Sequence, residues 1–206
     1  MPEMKDEKTA VIANQKSWLL EHGSVSCCVT RRGGHMAPVE FCVGSGESIR
    51  PYYISPWQTE PLQLTEPVLI PLRGDFFCMP FGENNAYQGE THAVHGEPAG
   101  AIWSFVSLEA EGRRKTLQMR LETRGRQGSV DKRITVQAGQ DVLYIQHNVN
   151  GFAGKTTLGH HATLHGEQEW LISTSPIQFG MVNPGTPLQA NGEYSSLLPG
   201  SRFSDL

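Results

Sequence analysis

Apolar side chains recur at every second position in short runs along much of this chain, and the runs end at glycine, proline or polar turn residues. That spacing fits strands with one buried face and does not fit helices. Val25, Cys27 and Val29 alternate with Ser26, Cys28 and Thr30. Arg31-Arg-Gly-Gly34 then supplies a turn before a second run ending Val39-Glu-Phe-Cys-Val43, which predicts a hairpin. Leu117, Met119 and Leu121 alternate with Gln118, Arg120 and Glu122. After the Gly125-Arg-Gln-Gly128 turn, Ile134 and Val136 continue the pattern, and Leu143, Ile145, His147 and Val149 form a further inward face. The 22 glycines and 13 prolines are spread evenly rather than gathered in one linker, as many short strands with frequent turns require. Only Lys5 to Leu20 has a composition open to a helix, and Ser17-Trp-Leu-Leu20 can equally begin a strand. The expected class is all-β, a large antiparallel sandwich, with Ser175 to Gly200 as an extended Pro/Gly-rich loop crossing one end of the sheets.

A chain of 206 residues holds one substantial core, so residues 1–206 are expected to form a single domain. The 17 basic and 21 acidic residues leave a formal charge of −4, which offers no general attraction to nucleic acid or anionic lipid. Arg113-Arg-Lys115 with Arg120, Arg124 and Arg126 is interleaved with Glu109, Glu111 and Glu122 and lacks stacking aromatics, which fits a solvated hairpin face. No apolar run is long enough to span a bilayer, and the opening residues lack the hydrophobic stretch of a signal peptide, so the cytoplasm is the expected compartment. Cys27, Cys28, Cys42 and Cys78 show no paired CxxC spacing and are expected to be reduced. The ending, Leu-Leu-Pro-Gly-Ser-Arg-Phe-Ser-Asp-Leu206, follows directly on a loop and suggests the front part of a longer protein.

Two segments carry the chemistry. Residues 73–105 place Arg73, Asp75, His92, His95 and Glu97 near glycine and proline breaks, and Leu158-Gly-His-His-Ala-Thr-Leu-His-Gly-Glu167 adds His160, His161 and His165. Imidazoles exchange protons near neutral pH without a large environmental shift, so His95 and His161 meeting in one cleft would suit acid/base work. Arg73 offers a planar fork of donors, Asp75 accepts from hydroxyls, and Trp57 and Trp103 could supply apolar platforms for a sugar ring. The bland alternatives are an ion-paired Arg73, core tryptophans, and structural roles for His22, His35, His147 and His165. A metal site is a sharper rival, with His92-x-x-His95, His160-His161 and His165-x-Glu167 as the donor set of a cupin-type enzyme. On a strand, however, i and i+3 side chains face opposite ways.

Between about Gly33 and Thr163 these motifs resemble the aldose 1-epimerase (galactose mutarotase-like) superfamily, in its branch related to hexose-6-phosphate mutarotases. The matching residues are Arg73-Gly-Asp75, Met79-Pro-Phe-Gly82, His95-Gly-Glu-Pro-Ala-Gly100, Trp103 and His161-Ala-Thr-Leu164. The resemblance implies a β-sandwich whose concave face binds a monosaccharide and interconverts its anomers without a metal or other cofactor. It gives His161 the acid role, makes His95 a binding and polarising group, and puts Arg73 where a substrate arginine is found; Asp75, as a hydroxyl acceptor, and Glu97, in place of an apolar family residue, are the other expected ligand-binding residues. Ala99 stands where the branch has a second phosphate-binding arginine, and Glu97 adds negative charge, so a neutral sugar is expected rather than a phosphorylated one. The family's glutamate base and a substrate aspartate fall beyond Leu206, and Glu167 and Glu169 do not match them. The alternative within the same pocket is a noncatalytic carbohydrate-binding module.

Overall fold

The computed structural model describes residues 8–42, 44, 46–83, 89–166, 171, 173–182, 184 and 198–204. The chain divides into two compact units, Met1–His165 and Gly166–Leu206. In the first unit, β1 (Thr9–Ile12), β2 (Gln15–His22), β3 (Val25–Thr30), β4 (Met36–Cys42), β5 (Ser48–Ile49) and β6 (Asp75–Cys78) are followed by β7 (Ser104–Glu111), β8 (Arg114–Thr123), β9 (Gly128–Gln137), β10 (Leu143–Asn150) and β11 (Gly159–Ala162). The second unit contains a small pairing of β12 (Gly180–Met181) with β13 (Arg202–Phe203). The expected loop from Ser175 to Gly200 thus includes β12, and residues 183 and 185–197 of it lie outside the described residues.

Sheet 1 runs β1-β2-β3-β4-β6-β11 with β5 on β4, and sheet 2 runs β10-β9-β8-β7; every named strand pair is antiparallel. The inward residues of both sheets share one core. Trp18, Leu20, Val25, Cys27, Val29, Met36, Val39, Phe77 and Met79 from sheet 1 and its margins meet Trp103, Leu108, Leu117, Met119, Leu121, Val130, Ile134 and Val136 from sheet 2 and its entry. The fold is therefore an all-β antiparallel sandwich, with each large inward side chain contributing roughly 1.5–3 kcal/mol by leaving water.

The predicted hairpins form where the alternation placed them, in β3–β4 and β8–β9, and Cys27 and Cys28 face opposite sides, buried and half-buried. No helix forms between Thr9 and His22. Those residues make the β1–β2 hairpin instead, whose two-residue turn, Ala13–Asn14, has φ of 44° and 61°. Positive φ at both turn positions matches the twist of a tight hairpin, and Val11, Ile12 and Trp18 are better accommodated on a pleated surface than on a helix. No helix among the described residues is long and apolar enough to cross a membrane.

Candidate functional site

The pairing of β6 with β11 decides which polar groups meet. His160 lies opposite Phe77 and His161 opposite Phe76, so the two adjacent histidines are sent to opposite faces of sheet 1. On the outer face, Phe76 is fully buried and stacks against two imidazoles. His35 lies 4.1 Å from it at 8° between planes, and His161 lies 4.9 Å from it at 16°. His95 completes the group, its ring 5.1 Å from that of His161 at 66°. Phe81, 42% exposed, flanks both, at 5.3 Å from His95 and 6.3 Å from His161.

His95 is held by a strained turn. Its φ is 59°, in the left-handed region, and Gly96 follows at 78°. A Cβ on Gly96 would fall 2.0 Å from the Met79 carbonyl oxygen, so no other residue fits that close pass. The His95 N–H donates to Gly82 O at 2.8 Å, and the Gly82 N–H donates back to His95 Nδ1 at 3.4 Å. Nδ1 is thereby the acceptor, which leaves the proton of the neutral ring on Nε2 as a donor toward a ligand. Burial, assisted by neighbouring His161, lowers the His95 pKa and favours that neutral form. His161 is half-buried, and its Nδ1 is buried without a hydrogen-bond partner among the described residues.

His35 supports the stack from inside. Its Nε2 meets Ala99 O at 2.8 Å and its Nδ1 accepts from the Arg73 N–H at 3.3 Å, so both nitrogens are used. Burial, reinforced by the charges of Lys132 and Arg73, pushes its pKa down to about 3. The structural role weighed for His35 is what these contacts describe.

Arg73, Asp75 and Glu97 are not gathered on this face. Arg73 was expected to anchor a ligand, but its side chain is buried and turned into the protein. It donates to Pro71 O (3.2 Å), Ile12 O (2.9 Å), Ala13 O (3.0 Å) and Gln58 Oε1 (2.8 Å), tying down the β1–β2 turn. Burial pulls its pKa down to about 10. Next to it, Gly74 has φ of 48° and passes so close to Met36 O that a Cβ would lie 1.8 Å from it, which only glycine permits. Glu97 accepts from the backbone N–H groups of Arg124 (2.8 Å) and Gly125 (2.9 Å) and so fastens the β8–β9 turn. Trp103 is core, donating from Nε1 to Pro98 O at 3.0 Å, while half-buried Trp57 donates to Leu69 O at 3.0 Å.

Asp75 faces the interior with Phe77. Its Oδ2 accepts from His160 Nδ1 at 2.7 Å. Nearby, fully buried Lys132 donates to Gly34 O at 2.6 Å, and burial lowers its pKa to about 8 against the attraction of Asp75. His147 stacks on Phe77 at 4.1 Å, and burial, with Lys132 and His160 adding to it, lowers its pKa to about 2. This is a second polar cluster between the sheets, separate from the His95–His161 pair. The metal-site donors do not assemble: His160 and His161 diverge, and His92 meets Glu90 at 3.3 Å. Among the described residues no group of three His, Cys, Asp or Glu side chains is placed to hold a metal ion, and Glu167 lies outside them.

A cavity of about 50 Å³ lies beside the His95 turn, lined by Met79, Pro80, His92, Ala93 and Glu97 among others. That is too small for a sugar ring, so a ligand of the two imidazoles would rest on the open surface formed with Phe81.

No protein-family model and no curated protein matches this sequence. Among solved structures, the chain is similar to one described as "a putative mutarotase (YeaD) from Salmonella typhimurium", with 16% identity and a TM-score of 0.46 over 63% of this chain. The match spans 42% of that structure's length, and at this level it assigns no residue a role.

Proposed function

We propose that the outer face of β6 and β11 binds a neutral monosaccharide in the manner of aldose 1-epimerases, with His161 as the proton-donating acid and His95 as a polarising donor. The observation that carries this reading is the meeting of two imidazoles, remote in sequence, with ring centroids 5.1 Å apart beside a half-open phenylalanine. Phe81 offers an apolar surface to the C–H side of a sugar, and His95 Nε2–H supplies a fixed donor.

Mutarotation needs a proton removed from the anomeric hydroxyl while another is delivered to the ring oxygen. The bond between the anomeric carbon and the ring oxygen breaks, the resulting aldehyde rotates, and the reverse transfers close the other anomer. His161 serves the ring oxygen in this scheme. No carboxylate is hydrogen-bonded or ion-paired to either imidazole among the described residues, so the pair supplies binding and the acid without the base. With the Arg73 guanidinium committed to carbonyls, the face also lacks a cation that could hold a phosphate, which supports the neutral sugar.

Titration of the chain with D-galactose and D-glucose, followed by calorimetry and by two-dimensional exchange NMR of the anomers, tests both parts. Saturable binding that His161→Asn weakens, with anomer exchange at the buffer rate, is expected. Exchange faster than buffer would show that the chain holds its own base, and failure of every neutral hexose to bind would end the proposal.

A further inference from the structure

The outward side chains of sheet 2 line a cavity of about 540 Å³, within the size range of small-molecule sites and far larger than the one beside His95. The sugar face on sheet 1 uses none of these residues. Strand register builds a row across all four strands, in which Tyr144 of β10 lies opposite Thr135 of β9, Thr135 opposite Thr116 of β8, and Thr116 opposite Glu109 of β7. A second row begins with Gln146 opposite Arg133. At a strand spacing of about 4.8 Å, the four strands make a palm roughly 14 Å wide.

We infer that this palm is a binding site for a neutral oligosaccharide. Its charges balance, Glu109 and Glu111 against Arg114 and Arg133, which favours neither a polyanion nor a polycation. Its remaining groups are amides and hydroxyls, each both donor and acceptor, which is the chemistry that matches sugar hydroxyls. Tyr144 is 49% exposed, and its hydroxyl donates to Gln140 Oε1 at 2.9 Å, holding the ring as a platform for a sugar's C–H face. Two further contacts fix the floor: Thr116 and Thr135 hydroxyls meet at 2.9 Å, and Arg114 Nε donates to Gln137 Oε1 at 3.0 Å. The side chains of Arg133 and Glu109, in contrast, have no hydrogen-bond or ion-pair partner among the described residues and are available to a ligand. The palm has no apolar centre of the kind a protein interface buries, and its width suits two or three linked rings rather than one.

The test is amide NMR titration of the full chain with cellotriose and with maltotriose, and with trigalacturonate as the charged control. At least one neutral trisaccharide is expected to produce saturable shifts at Thr135, Tyr144 and Gln146 by about 10 mM, a concentration at which a millimolar Kd is visible. Tyr144→Ala is expected to weaken binding about 3- to 10-fold, the value of one aromatic platform, and Arg133→Ala to weaken it as well. Both side chains point to solvent, and unchanged thermal midpoints will confirm that both variants fold. The inference is overturned if neither trisaccharide shifts this face, if neither variant weakens binding, or if trigalacturonate binds more tightly. Shifts confined to the His95 and His161 neighbourhood would likewise count against the palm while leaving the monosaccharide reading intact.

Discussion

Replacing Arg73 with methionine separates two roles that the sequence alone left open. A ligand anchor at the surface would tolerate the change within about 0.5 kcal/mol of stability and lose sugar affinity. The structure gives the opposite outcome. The side chain is buried, and four hydrogen bonds leave it for Pro71 O, Ile12 O, Ala13 O and Gln58 Oε1. Bonds from a charged donor are worth about 1.5–3 kcal/mol each, but much of that sum offsets the cost of burying a guanidinium that has no carboxylate partner among the described residues. Methionine restores most of the volume and none of the donors, and each carbonyl left buried and unpaired costs about 1–3 kcal/mol. With partial relaxation of the β1–β2 turn, the net loss is about 3–6 kcal/mol. For a chain of this size, each kcal/mol shifts the thermal midpoint by about 2–4 °C, so the midpoint should fall by roughly 6–24 °C. Urea unfolding read by tryptophan fluorescence and far-ultraviolet circular dichroism supplies the first number, and a thermal scan the second. A variant as stable as the parent, with its hexose binding abolished, would refute the assignment of Arg73 to the fold.

Other outcomes follow from the same geometry. Gly96→Ala puts a Cβ 2.0 Å from Met79 O at a φ of 78°, so it should cost about 2–4 kcal/mol in urea unfolding and displace the His95 ring signals; a neutral substitution would contradict the described turn. His35 and His147 have folded-state pKa values lowered to about 3 and about 2, so the unfolded chain takes up protons below about pH 6.5 that the folded chain does not. Stability is therefore full above that pH and falls as pH drops toward the folded values, by up to about 1.4 kcal/mol per pH unit for each histidine. A urea series at pH 7, 6, 5 and 4 checks this, and flat stability across it would mean that neither imidazole is buried neutral. Glu97→Ala should cost about 1–3 kcal/mol by releasing the Arg124 and Gly125 N–H groups, without altering hexose affinity.

Much of the fold could be read from periodicity because β3, β8, β9 and β10 each bury alternate side chains. The β1–β2 hairpin was ambiguous because its turn uses Ala13 and Asn14 rather than a glycine, leaving no strong turn signal between two short runs. His95 and His161 were singled out as a pair by the resemblance of their motifs to the mutarotase-like superfamily, and their rings lie 5.1 Å apart. The inward placement of Asp75 was not legible, because β6 is buried on both faces and its sequence, Asp-Phe-Phe-Cys, carries no alternation to show which side chains face inward. The same gap hid Phe76 and Phe81 as the aromatic partners of the imidazoles. Arg73 and Glu97 are bound by backbone groups, to which no residue type in the sequence points. The cluster of buried Asp75 and Lys132, half-buried His147 and exposed His160 depends on β6–β11 register and on packing between sheets, neither of which is written locally.

The convergence of His95 and His161 on the face proposed to bind sugar can be tested by NMR of the chain with isotope-labelled histidine, free and with D-galactose. Ring-to-ring nuclear Overhauser contacts between His95 and His161, consistent with centroids 5.1 Å apart, and coupled shifts of both rings on adding sugar are the expected result. An absence of ring contact, or sugar-dependent shifts at His147 and His160 with His95 and His161 unmoved, would contradict it.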